Sequence, residues 1–190
     1  LGTCREDEFA YKVCFQPHIV YLANSSALKI GITRIVNMPT RWLDQGATQA
    51  LPILKVGSRR LSGHLETLFG TQIADKTDWR KLLKGEAEPL NLIEQRDQIL
   101  EEFAPKIQTI RDEFSQNLEF NEELEFLEHE LPKEFIYPVE QYPEKIKSLN
   151  LDKTPKIRGV LHGIKGQYLL LDIGVINIRK YTGYEMILRA

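Results

Sequence analysis

Two short runs near the start of the chain, "HIVYLA" (18–23) and "LKIGIT" (28–33), are rich in β-branched and aromatic residues and meet at the turn-forming "ANSSA". That combination predicts a β-hairpin. In "NMPTRWLDQGATQA" Pro39 and Thr40 are helix-start signals ahead of good helix formers, and "LPILKVGS" has the length and content of a short apolar strand. Beyond it, Ser62 is placed to cap a helix whose apolar positions Leu65, Leu68, Phe69 and Ile73 recur at helical spacing. "DKTDWRKLLKG" predicts another short helix, with Asp78 near its start and Gly85 as its stop.

From Glu86 to Glu130 the pattern turns acidic and helical. "LIEQRDQILEEF" and "IQTIRDEF" share a 3.6-residue period, Pro105 is expected to break the run between them, and "NEELEFLEHELP" adds a short acidic helix. From Phe135 onward Gly163, Gly166, Gly174 and Gly183 punctuate short apolar runs, which predicts four or five antiparallel strands curled into a small sheet or barrel. The expected organisation is α+β: an N-terminal unit over 1–85, an acidic helical connector over 86–134 and a β-rich unit over 135–190.

Charge sharpens this division. Residues 1–85 carry 12 Lys and Arg against 7 Asp and Glu, residues 86–150 carry 6 against 17, and residues 151–190 carry 7 against 3. Two mildly basic ends therefore flank an acidic middle. Basic segments can face phosphates, although a solvated surface has the same balance. The acidic helices fit a solvated scaffold, or a DNA-mimicking or partner-binding surface. No run of about 18 apolar residues occurs and no basic-then-apolar leader opens the chain. A membrane span is not expected, and the cytoplasm is the default location. The chain starts at Leu1, which suggests a fragment or a processed form. Two cysteines, Cys4 and Cys14, do not make a disulfide framework.

Candidate chemistry begins at the hairpin. Side chains alternate along a strand, so Leu28, Ile30 and Ile32 share a core face with Val20 and Leu22. Tyr21, Lys29 and Thr33 then share the opposite, polar face, and Gly31 is expected to leave backbone room for a ligand between them.

"VYL" followed by "KIG", then an Arg-bearing helix, a strand and a helix carrying Glu, resembles the GIY-YIG endonuclease superfamily, in particular its divergent branch whose second signature reads KIG. "ETLFGTQIADKTDW" is similar to that branch's Glu on a helix followed by a Trp. "KIGITR", "PTRWLDQGA" and "DKTDWRKLLKG" also resemble an uncharacterised bacterial and archaeal family without an assigned function. The resemblance covers residues 18–84. It implies a β-β-α-β-α nuclease unit in which Tyr21 helps activate the attacking water. Lys29 and Gly31 would form the second signature, Arg41 would steady the phosphate, and Glu66 would hold one divalent metal ion. A single carboxylate suits Mg²⁺ or Mn²⁺, ions of the kind that keep much of their hydration shell. The implied activity is metal-dependent cleavage of DNA, or alternatively RNA.

Further residues extend this expectation. Thr33 and Arg34 lie beside the signature. In the C-terminal unit Lys165, Tyr168, Arg179 and Lys180 interleave cations with aromatics, as small barrels do when they stack bases and hold phosphates; an aromatic core with exposed lysines has the same pattern. Cys4, Cys14 and His18 offer three ligands where zinc wants four, so a Zn²⁺ site is not expected from this chain alone. Two other functions remain open: a nucleic-acid-binding protein that keeps the fold without catalysis, which Lys29 in the second signature favours, and an interaction scaffold that works through the acidic helices.

Overall fold

The computed structural model describes residues 6–73, 76–115 and 123–189. A short helical segment, α1 (Asp7–Phe9) running into a π-helical turn (Ala10–Cys14), leads to the hairpin of β1 (His18–Asn24) and β2 (Leu28–Arg34). Its antiparallel register places Tyr21 opposite Gly31 and His18 opposite Arg34. A 3-10 turn (Ile35–Asn37) precedes α2 (Thr40–Asp44), which is shorter than expected because Gly46 takes a left-handed φ of 68° that ends the helix. The chain then enters β3 (Gln49–Val56), which pairs with the free edge of β1.

The cap of helix α3 (Arg59–Phe69) lies four residues before the expected one. Ser58 caps it by accepting from the Leu61 N–H, while Ser62 is buried in the first turns with its hydroxyl donating to the Arg59 carbonyl. The short α4 (Trp79–Leu82) is capped by Asp78, as its sequence suggests. Next, α5 (Leu92–Ser115) runs unbroken for 24 residues through Pro105. The expected break is absent because Pro105 sits on the exposed side of the helix, one turn after exposed Glu101. The carbonyl that loses its amide partner can therefore turn to water, while the apolar stripe Ile99, Phe103, Ile107 stays continuous.

The "NEELEFLEHELP" stretch is also corrected. Among its described residues it forms a strand, β4 (Leu124–Phe126), against β3, with Leu124 buried and Glu125 paired to Lys55 across the ladder. An apolar run this short fits either period, and the unpaired outer edge of β3 decides for a strand. Two further residues, β5 (Lys133–Glu134), pair with Gln49 and Ala50. The order across the first sheet is β2-β1-β3-β4, with β5 beside the other end of β3. The C-terminal sheet has three strands rather than four or five: β6 (Leu161–Lys165), β7 (Tyr168–Leu171) and β8 (Gly174–Asn177). The fold is mixed α+β, as its sequence predicts.

Packing explains why these pieces belong together. One face of the first sheet, with Val20, Leu22, Ile30, Leu51 and Ile53, is covered by α3 and α5 through Leu61, Leu65, Phe69, Ile99, Phe103 and Ile107. The acidic helix is thus a core element whose acidic residues face outward, while Arg96 is buried and donates to the Glu128 carbonyl. A second apolar cluster fills the other face: Ile19, Tyr21, Ala23, Trp42, Ala47 and Ala50, with Phe135 against it. A third joins α4 to the C-terminal sheet through Leu82, Leu83, Leu170 and Val175.

Phe69 and Phe103 meet edge to face, with ring centroids 5.3 Å apart, at the join of α3 and α5. Replacing Phe103 with Ala is expected to lower stability by about 3–5 kcal/mol. Urea unfolding should show an earlier midpoint with an unchanged slope.

Candidate functional site

The face of the hairpin expected to be polar is enclosed. Tyr21 is 0% exposed and lies edge-on to Trp42, with centroids 5.8 Å apart. A Cβ on Gly31 would lie 2.7 Å from both Cζ and the hydroxyl oxygen of Tyr21. The room above Gly31 is therefore taken by the phenol itself, not left for a ligand. The ring reaches along the sheet, and its hydroxyl donates to Gln45 Oε1 at 3.1 Å.

Three elements converge on that hydroxyl. Burial raises the Tyr21 pKa above its ordinary value, Arg41 of α2 opposes the rise by charge and hydrogen bonding, Gln45 opposes it too, and the charge of Glu66 on α3 adds to it. A phenol so placed keeps its proton at neutral pH. Arg41 and Glu66 are both half-exposed, so the guanidinium and carboxylate sit at the rim and the phenol below it. Gln45 was not singled out from the sequence. It lies one helical turn after Arg41, the spacing that puts two side chains on one face.

Other expected residues sit elsewhere. Lys29 is 5% exposed, and its ammonium is directed to Thr77 Oγ1 at 2.9 Å rather than to the Tyr21 hydroxyl; Ser25 Oγ meets the same Thr77 oxygen at 3.0 Å. Lys29 therefore ties the hairpin to the segment before α4. Thr33 is buried with its hydroxyl 3.3 Å from the Arg34 carbonyl, while Arg34 stays half-exposed. His18 is buried, and its Nδ1 lies 2.6 Å from the Gln16 carbonyl; a carbonyl only accepts, so Nδ1 carries the proton. Burial lowers the His18 pKa, and the charges of Arg59 and Arg34 lower it further, against the Gln16 hydrogen bond.

Metal chemistry has a narrow footing. Cys14 is a half-buried free thiol and Cys4 lies outside the described residues. Among the described residues no group of three His, Cys, Asp or Glu could hold a metal ion. Glu66 as one carboxylate at a rim suits a hard cation that retains waters and takes further oxygens from its substrate.

The C-terminal residues divide. Lys165 is 0% exposed, donates to the Gly85 carbonyl at 2.8 Å and to the Tyr142 hydroxyl at 3.2 Å, and lies 5.0 Å from the Tyr142 ring centroid. Burial lowers its pKa, with Glu86 opposing. Its cation is spent inside the protein, which corrects its expected place on a phosphate-binding surface. Tyr168 stacks on Trp79 with centroids 6.1 Å apart and planes 7° apart, so at least one ring face is used to join α4 to the sheet. Arg179 and Lys180 are exposed on a 3-10 turn (Ile178–Tyr181).

The C-terminal unit, through Tyr137 ahead of its sheet and the β6–β7 turn, also braces the loop that carries Gln45. The Tyr137 hydroxyl lies 2.9 Å from the Ala47 carbonyl and 3.2 Å from that of Leu43. Gly166, at φ 57°, packs so closely that a Cβ there would lie 2.9 Å from Asp44 O and Gly46 N. No helix is long and apolar enough among the described residues to cross a membrane.

Two outcomes follow from this geometry. Gly31→Ala must displace the Tyr21 ring and should cost about 1–3 kcal/mol by urea unfolding. Burial raises the Tyr137 pKa well above its ordinary value of 10.0, and nearby Asp44 adds to the rise. A raised folded pKa gives stability that is complete below the unfolded value and lost as pH rises through the window above it. Stability should therefore fall above about pH 10, the ordinary tyrosine value. Tyr137→Phe should fall less steeply there, from a starting point about 1 kcal/mol lower for the lost hydrogen bond. Urea titrations at pH 8 to 11 read both effects.

The chain matches no curated protein and no solved structure. A family model described as "Protein of unknown function (DUF2797)" matches residues 1–186, and the chain belongs to that family.

Proposed function

We propose that this protein hydrolyses phosphodiester bonds of nucleic acid, DNA in preference to RNA, in the manner of the GIY-YIG endonucleases that its hairpin signatures resemble. One observation carries the reading: Arg41 on α2, by charge and hydrogen bonding, and Glu66 on α3, by charge, both act on the phenol of Tyr21 on β1, although the three are spread from position 21 to position 66. Arg41 would take two oxygens of the phosphate through its planar fork, which a lysine cannot reproduce. Glu66 would hold one Mg²⁺ or Mn²⁺, which when bound polarises a phosphoryl oxygen. Tyr21 keeps its proton on Gln45, so its part is to hold and orient by hydrogen bonding rather than to act as a ready base. Lys29 would act through the hairpin it ties to the segment before α4, not on the substrate.

A second reading has its own support. The complete burial of Tyr21 fits a protein that binds nucleic acid through the same rim without cutting it.

Single-stranded, duplex and branched DNA, incubated with the protein with and without Mg²⁺ or Mn²⁺, separate the two. Hydrolysis predicts metal-dependent products that EDTA abolishes. Glu66→Ala and Arg41→Ala should each lose about 10²–10³-fold in rate, the usual cost of removing one electrostatic group from such a site. Arg41→Lys should not recover it, and Tyr21→Phe should also be impaired. Binding with no products under any metal would establish the second reading.

A further inference from the structure

Three half-exposed or exposed guanidiniums lie on elements next to the candidate site: Arg34 at the end of β2, and Arg59 and Arg60 at the start of α3. Arg34 lies directly opposite His18 across the β1–β2 ladder, and the charges of Arg59 and Arg34 both act on that buried ring. No ion pair among the described residues joins any of the three to a carboxylate. Arg60 instead rests over the Phe114 ring at 4.9 Å. An open groove beside them is lined by Arg59, Arg60, Gly63, His64 and Thr67. Gly63 leaves its floor open: a Cβ there would meet only the Arg59 guanidinium, at 3.6 Å.

Helix geometry relates this patch to the rim. Arg59 and Glu66 are seven residues apart, which returns to within about 20° of the same line along the helix and spans about 10 Å of its axis. One strand of a duplex rises about 3.4 Å along its axis per phosphate and also winds around it, so the gap spans more than one phosphate step. Close like charges without carboxylate partners are costly unless an anion meets them, and a polyanion with regular spacing meets several at once.

Resting on the reading of the rim as the place where a phosphodiester lies, we infer that α3 and the end of β2 form a backbone track. Arg34 and Arg59 hold backbone phosphates beyond the reacting one, with Arg60 beside them. The track binds nucleic acid without reading its bases, because it presents guanidiniums to phosphates and no groove-reading element. It contributes affinity and register rather than chemistry.

Counterion release provides the test. Fluorescence anisotropy with a labelled DNA duplex and a labelled single strand, in EDTA and over 50–200 mM KCl, gives the slope of log affinity against log salt. For Arg34→Ala/Arg59→Ala that slope should shrink by about 1.8 on duplex and about 1.4 on single strand, two phosphates' worth in each case. The wild type should then lose about tenfold more duplex affinity over this range than the double variant. Lys153→Ala/Lys156→Ala, two exposed positions beyond the first sheet that remove the same charge, should leave the slope unchanged. Thermal melting checks that the variants are folded, and Arg34→Gln/Arg59→Gln replaces the alanine pair if it is not. A wild-type slope in the folded Arg variants, or an equal loss in the lysine control, overturns the track. The reading of the rim fails separately: a changed slope without metal-dependent cutting leaves the track standing, and cutting with an unchanged slope leaves the rim standing. A wild type that binds neither DNA at 50 mM KCl removes both.

Discussion

Strand β1 buries both of its faces along its whole length. All seven of its residues are covered, because β2 and β3 take its two edges while separate apolar clusters take its two sides. Such a strand needs a large aromatic on one side to coexist with a close neighbour across the ladder, and Gly31 opposite Tyr21 meets that need. The absence of one Cβ lets the phenol lie flat against the backbone and reach out to Gln45. Trp42 then closes over it, which fixes α2 and with it Arg41. The candidate site is thus a product of core packing as much as of polar residues.

This dependence explains what could and could not be read from the residues in order. The hairpin, its register and the apolar face of α3 were legible because period 2 and period 3.6 are local properties. Tyr21, Arg41 and Glu66 are grouped by resemblance and by their order along the chain, not by any local pattern. The enclosure of Tyr21 was not legible, because it depends on Trp42 and Phe135, which arrive from distant positions. Pro105 inside α5 and the strand at Leu124–Phe126 were misjudged for a common reason. In both cases a local preference yields to what the neighbouring element requires: a continuous apolar stripe in one, a partner for the edge of β3 in the other.

Lysines illustrate the same limit with charge. Lys29 and Lys165 look like surface cations in a basic segment, yet both are buried and matched by hydroxyl or carbonyl oxygens. Composition counts a cation without saying whether its field reaches solvent. The arginines Arg34, Arg59 and Arg60, which do face outward, carry that field instead.

The brace between the C-terminal sheet and the Gln45 loop bears on how the chain can be divided. The Tyr137 hydroxyl meets the Ala47 carbonyl and that of Leu43, which also accepts from the Gly46 N–H, and Gly166 lies in direct contact with that turn. Cutting the chain after Glu134 would strip both supports from the segment that orients Arg41 and Gln45. A fragment ending there would keep every residue of the rim and the Trp42 contact, but lose the part of the brace that steadies the turn carrying Gln45.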